Sequence, residues 1–134
     1  NPDIILDFAT LTGACVVALG HEAAGVMGND EEVQKTLRSI GEKVGERVWP
    51  LPNYDEYASY LASDWADIKN AGSRWGGAVT AGVFLKQFVP EKASWAHIDI
   101  AGVGYLDKIH NGLPKGATGF GVVLTTTFLQ DLLK

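Results

Sequence analysis

The amino-acid sequence predicts an α/β fold: three α/β/α layers around a mixed, largely parallel sheet. Three observations carry this reading. Short apolar runs of strand length alternate with amphipathic runs of helix length. One run near the start is continuously apolar and one near the end alternates strictly, as strands do. Neither a low-complexity linker nor a repeat divides the chain, so residues 1–134 read as one domain.

Each element follows from its residues. Ile4, Ile5 and Leu6 form an apolar run ended by Asp7, the pattern of a strand covered on both faces. Residues 10–13 interrupt it as a loop, and residues 23–28 read as a second strand. Asn29 stands three residues before Glu32, which resembles a capping box and starts a helix. Val33, Leu37, Ile40, Val44 and Val48 give that helix one apolar stripe, opposite Lys35, Arg38, Glu42 and Glu46. Pro50 and Pro52 are expected to stop it by Trp49. Tyr54, Tyr57, Ala58 and Leu61 give a shorter helical face, and residues 67–70 read as another strand. Gly72, Gly76 and Gly77 mark a loop before a helix over residues 78–88, where Val79, Val83, Phe84 and Phe88 fall at helical spacing. Pro90 ends it. Residues 95–100 place Ala96, Ile98 and Ile100 on one strand face and Trp95, His97 and Asp99 on the other. A terminal helix carries Phe120, Val123, Leu124, Thr127, Phe128 and Leu132 on one side.

Composition narrows the function. A chain of 134 residues, 46% hydrophobic, is long enough to bury a core without disulfides or a structural metal. Eleven Lys and Arg against 16 Asp and Glu give a net charge of -5, and no basic run speaks for a nucleic-acid or membrane partner. Cys15, the single cysteine, forms no internal disulfide, which leans toward a reducing compartment. The apolar stretches around residues 4–9 and 14–19 are too short to span a bilayer, and none reads as a signal peptide. The chain begins Asn1-Pro2-Asp3 and its only methionine is Met27, so it is expected to be a piece of a longer protein.

Several residues are weighed as chemistry. His97 and Asp99 share one strand face, suited to ligating a metal or forming a relay. No second His or Cys cluster lies within reach in sequence, which favours a core histidine with its ring nitrogens satisfied. His21 and Glu22 are adjacent and diverge, and His110 reads as an exposed loop residue. Cys15, followed by apolar residues, fits a small buried thiol. Neither a Gly-x-Ser-x-Gly elbow nor a complete phosphate loop is present. The loops after two strands, residues 10–14 and 101–104, stand where α/β sheets bind ligands, and their small residues allow close approach to the main chain. Turn chemistry explains them equally well.

A resemblance adds weight to the loops. The blocks Asp7-Phe8-Ala9-Thr10-Leu11-Thr12-Gly13-Ala14, Arg47-Val48-Trp49-Pro50-Leu51-Pro52, Asp67-Ile68-Lys69-Asn70, Gly77-Ala78-Val79-Thr80-Ala81, Trp95-Ala96-His97-Ile98-Asp99-Ile100-Ala101-Gly102 and Lys115-Gly116-Ala117-Thr118-Gly119-Phe120-Gly121 occur in this order. Together they resemble the C-terminal part of the catalytic domain of the leucyl aminopeptidases. The resemblance implies a cytoplasmic metallo-exopeptidase that removes N-terminal residues, often leucine, from peptide substrates. It also implies a homohexamer and two divalent metal ions, zinc or manganese, that polarise the scissile carbonyl and activate a water, helped by a lysine and an arginine.

Carried over by position, Thr10 and Leu11 would supply main-chain contacts to the substrate. Gly13 would leave room for the side chain of its N-terminal residue, and Ala101 would line the same pocket. The family's Asn-Thr-Asp-Ala-Glu-Gly-Arg motif is nowhere in this sequence, nor are the upstream lysine and aspartate ligands. The chain is therefore expected to hold part of the substrate pocket, no metal ligand and no activity of its own. Gly104 and Tyr105 sit where pocket residues vary, and His97 and Asp99 are not among the family's ligands. The rival expectation is a stand-alone binding or assembly module with the same fold.

Overall fold

The computed structural model describes residues 2–133; Asn1 and Lys134, the ends of the expected 1–134 domain, lie outside the described residues. In chain order the elements are β1 (Ile4–Ala9), α1 (Gly13–Leu19), β2 (Ala24–Gly28), α2 (Glu31–Val44), β3 (Val48–Pro50), a 3-10 helix (Asp55–Leu61), α3 (Gly77–Lys86), β4 (Ser94–Asp99), β5 (Tyr105–Leu106), β6 (Gly116–Ala117) and α4 (Val122–Leu132). The main sheet runs β1-β4-β2-β3, and β5 and β6 form a small separate ribbon. β1 lies parallel to β4 and β3 parallel to β2, while β2 runs antiparallel to β4. Two of the three ladders are thus parallel and the sheet is mixed, as the sequence predicts.

Alternation along β4 sorts its side chains between two layers rather than between core and water. Ala96 and Ile98 join Ala24 and Val26 of β2, Val33, Leu37 and Ile40 of α2, and Leu124 and Phe128 of α4 in one core cluster. Each fully buried aliphatic side chain there contributes about 1.5–3 kcal/mol. The opposite face of β2 is covered by the other two helices. A β-carbon at Gly25 would meet the Cys15 thiol of α1, and Gly82 of α3 admits the Met27 side chain, 2.5 Å from where its β-carbon would stand. Register sets Met27 beside His97 and Gly25 beside Asp99, so His97 and Asp99 lie on this second face.

Several local expectations are corrected. β1 does not end at Asp7 but continues to Ala9, and it is half-buried throughout because it is an edge strand. The cap of α2 is Asp30 rather than Asn29, its Oδ1 accepting from the Glu32 and Val33 amides at 2.9 and 3.2 Å. Asn29 is taken by the sheet: its Oδ1 accepts from Trp95 N at 2.7 Å and its Nδ2 donates to Ala93 O at 2.9 Å. α2 stops at Gly45, which adopts φ 80°, and not at the prolines. Val48 therefore leaves the helical stripe and is buried in β3, an edge strand that tolerates Pro50.

Residues 14–19, read only as an apolar stretch, form most of α1. Residues 67–70 form no strand; Lys69 N instead donates to Leu61 O at 2.8 Å and closes an exposed loop. α3 ends at Lys86, leaving Phe88 68% exposed, and Val123 and Leu132 on α4 are half exposed rather than buried.

Candidate functional site

β1 and β4 run parallel and end side by side, Ala9 opposite Asp99, with Ile100 N donating to Ala9 O at 2.8 Å. The two loops singled out in the sequence leave from this shared edge. Asp99, fully buried, joins them. Its Oδ1 accepts from Leu11 N at 3.1 Å and from Ala101 N at 3.1 Å, and its Oδ2 accepts from the Thr12 hydroxyl at 2.7 Å. Thr12 Oγ1 in turn accepts from Cys15 N at 3.0 Å and caps α1. Of the four residues expected to meet substrate, Leu11 and Ala101 thus share one carboxylate oxygen. Thr10 is exposed one residue before Leu11, and Gly13 is exposed as the first residue of α1.

The glycines of these loops divide into two kinds. A β-carbon on Gly102 would stand 2.1 Å from the Gly20 carbonyl oxygen, so the fold requires this glycine. A β-carbon on Gly104 would press on the Ile100 carbonyl at 3.1 Å. At Gly13 it would meet nothing within 4 Å, and Gly13 lies outside the left-handed region. Nothing in the fold therefore requires glycine at position 13, and the space beside it is open.

His97 and Asp99 share a face but do not converge. His97 Nδ1 hydrogen-bonds Asp7 Oδ1 at 2.5 Å, and Asp7 Oδ2 accepts from Trp95 Nε1 at 2.6 Å. Only half of the satisfied-histidine reading holds, since among the described residues His97 Nε2 is buried without a partner. His21 and Glu22 do diverge. His21 Nδ1 lies 2.5 Å from Gly102 O, while Glu22 pairs with His110 Nε2 at 2.7 Å and accepts from Asn111 Nδ2 at 2.9 Å. The hydrogen bond from His110 holds the Glu22 carboxyl below its ordinary range. His110 is thereby half-buried rather than exposed.

Cys15 is the buried thiol expected: burial, reinforced by the Asp99 charge, pushes it up to about 11. Among the described residues no three His, Cys, Asp or Glu side chains converge to hold a metal ion.

Two clefts flank these elements. One of about 470 Å³ lies between α1 and the start of α3, lined by Ala14, Val17, Ala18, Gly76, Gly77 and Val79, beginning one residue beyond Gly13. Another of about 590 Å³, with Asn29, Arg38 and Asn53 in its wall, opens at the end of the sheet remote from Asp99, where β2 terminates. The four expected site residues line neither, so cleft volume alone would point away from the loops. The loops carry the better argument because they converge on a buried charge and leave an unrequired glycine facing open space. Sequence reasoning missed the role of Asp99, whose partners Leu11 and Thr12 lie 88 and 87 positions away. A carboxylate closing an otherwise buried strand was the available signal.

Comparison with known proteins places the chain in a family. Residues 1–126 match the catalytic domain of the cytosol aminopeptidase family. The chain is 55% identical over 130 residues to a probable cytosol aminopeptidase of Geobacter sp. (strain M21), covering 97% of this chain and 26% of that protein. It is 53% identical over 132 residues to one from Persephonella marina, covering 98% and 27%. The chain thus spans about a quarter of the length of these curated relatives.

Among solved structures, a tomato leucine aminopeptidase mutant superposes with TM-score 0.89 at 38% identity, over 96% of this chain and 25% of that one. The bottromycin maturation enzyme BotP, in complex with Mn, superposes with TM-score 0.93 at 34% identity, over 98% and 29%. With nearly its whole length matched in sequence and in fold, the chain belongs to the cytosol aminopeptidase family.

Proposed function

We propose that this chain is the C-terminal portion of a leucyl aminopeptidase catalytic domain and forms one wall of its substrate pocket. The enzyme would hydrolyse N-terminal residues, leucine foremost, from peptides. The observation that carries the reading is the meeting of Leu11, Thr12 and Ala101 on Asp99, beside a glycine the fold does not need.

Each residue has a part. The Leu11 amide is engaged by Asp99, so its remaining backbone group, the carbonyl, is what it offers a peptide N–H. Thr10, exposed next to it, extends the same main-chain edge. Gly13 leaves space for the side chain of the N-terminal residue. Ala101 adds a small apolar wall, held in place through its own amide. Two divalent ions, zinc or manganese, would supply carbonyl polarisation and an activated water in the whole enzyme; the manganese complex of BotP supports that expectation. The residues present here do not fit such a centre: His97 engages Asp7 through Nδ1 and leaves only Nε2, Asp99 serves three donors, and among the described residues no three ligating side chains converge. No step is therefore drawn through the ions, and this chain alone is expected to be inactive. Under the same reading the longer protein is a cytoplasmic homohexamer acting on peptides; the naming of its relatives as cytosol aminopeptidases supports the compartment.

The test is hydrolysis of leucine anilide, with added zinc, manganese or magnesium, by this chain and by a chain extended upstream through the missing motif. Activity in the extended chain alone is expected. Metal-dependent turnover by the 134 residues would overturn the division of labour.

A further inference from the structure

We propose that Asp99 is a positioning residue that sets the spacing between the two walls of the pocket; this rests on the substrate-pocket reading above. One oxygen, Oδ1, accepts from both Leu11 N and Ala101 N, each at 3.1 Å. The two amides are therefore held within about 6 Å of each other by a shared acceptor. The second oxygen takes the Thr12 hydroxyl, which also caps α1 and so fixes where Gly13 begins the helix. Three of the elements that would surround a substrate thus take their relative position from one side chain.

The sheet does not need a carboxylate here. The β1–β4 ladder already sets the register, and Ile100 N to Ala9 O continues the pairing beyond Asp99. Burying an ionised group is unfavourable unless its donors repay it, and a carboxylate is the side chain whose oxygens only accept, so that it serves three donors at once. Asparagine keeps Oδ1 for the two amides and loses the charge and the acceptor at Oδ2. That makes Asp99→Asn a rescue variant and Asp99→Ala the disrupting one.

Two measurements test this. Amide hydrogen exchange on this chain should show Leu11 and Ala101 exchanging at least tenfold faster in Asp99→Ala and within threefold of the parent in Asp99→Asn, with Ile100 still protected in both. Unchanged exchange at Leu11 and Ala101 in Asp99→Ala, or equal loosening of Ile100, would overturn the proposal. In the upstream-extended protein, Asp99→Ala should raise KM for leucine anilide at least tenfold with kcat within threefold, and Asp99→Asn should restore it. An unchanged KM overturns the proposal as well.

If Asp99→Ala does not fold, Thr12→Val decides. It removes the link to Oδ2 together with the α1 cap on Cys15 N, so the readout is Leu11, whose amide should exchange at least threefold faster while KM rises at least threefold; no change in either refutes the clamp. An extended protein without any hydrolase activity would refute the substrate-pocket reading instead, while exchange would still report whether Asp99 holds the loops.

Discussion

Gly13 gives the sharpest separation of fold from function. A β-carbon there meets no atom within 4 Å, and the backbone lies outside the left-handed region, so alanine fits without strain. Gly13 is also the first residue of α1, where alanine restricts the unfolded chain more than glycine does. Gly13→Ala should therefore stabilise the chain by about 0.4–1 kcal/mol. With an unfolding entropy of about 2.1 cal/mol/K per residue, that corresponds to a Tm rise of about 1–4 °C for a chain of this size.

Gly13→Leu should melt close to the parent, because its side chain enters solvent rather than the core. In the upstream-extended enzyme the same leucine would occupy the space assigned to the substrate's first side chain. The ratio of kcat/KM for leucine over alanine anilide should fall at least tenfold, about 1.4 kcal/mol of discrimination. Thermal melts followed by circular dichroism and paired anilide kinetics read both effects. A Gly13→Ala chain destabilised by more than about 1 kcal/mol would refute the open-space argument, since Gly→Ala is stabilising only where the conformation suits alanine. A Gly13→Leu enzyme with unchanged preference would refute the role in the pocket.

Other expectations follow from contacts elsewhere in the chain. Gly102→Ala, whose β-carbon would collide with the Gly20 carbonyl, should cost about 1–3 kcal/mol in urea unfolding, the reverse of Gly13→Ala. The Ser94 hydroxyl and the Val33 and Glu32 amides lower the Asp30 carboxyl, so its stabilisation is complete above the ordinary carboxylate range and is lost as pH falls through its folded pKa. Asp30→Ala should cost about 0.5–2 kcal/mol near neutrality and flatten the acid limb below about pH 4 in pH-dependent unfolding. Cys15, pushed up to about 11, should resist a disulfide reagent at pH 8 until urea unfolds the chain. Its raised pKa also means that stability falls as pH climbs from the ordinary thiol value of 9.0 toward 11, a slope absent in Cys15→Ala.

Local pattern went a long way toward the fold because period and spacing decide which face of each element is apolar. Val33, Leu37 and Ile40 declare α2 by themselves, and the alternation of residues 95–99 declares β4. Where spacing misleads, a tertiary partner or a backbone turn overrules it. Asn29 matches a capping box, yet its side chain serves β4, leaving the neighbouring Asp30 to cap α2. Val48 continues a helical stripe that Gly45 has already broken. Residues 67–70 find no partner strand among the described residues. The loops of the site were legible as positions, because parallel strands that end together bring the segments after them together. Their convergence on Asp99 was not, since a hydrogen bond across 88 residues leaves no periodic trace.

The decisive measurement is a structure of the upstream-extended protein with a leucine-derived transition-state analogue. The leucine side chain should lie within about 4.5 Å of Gly13 and Ala101, with the Leu11 carbonyl accepting a hydrogen bond from the analogue. An analogue seated instead beside Asn29, Arg38 and Asn53, at the remote end of the sheet, would contradict it.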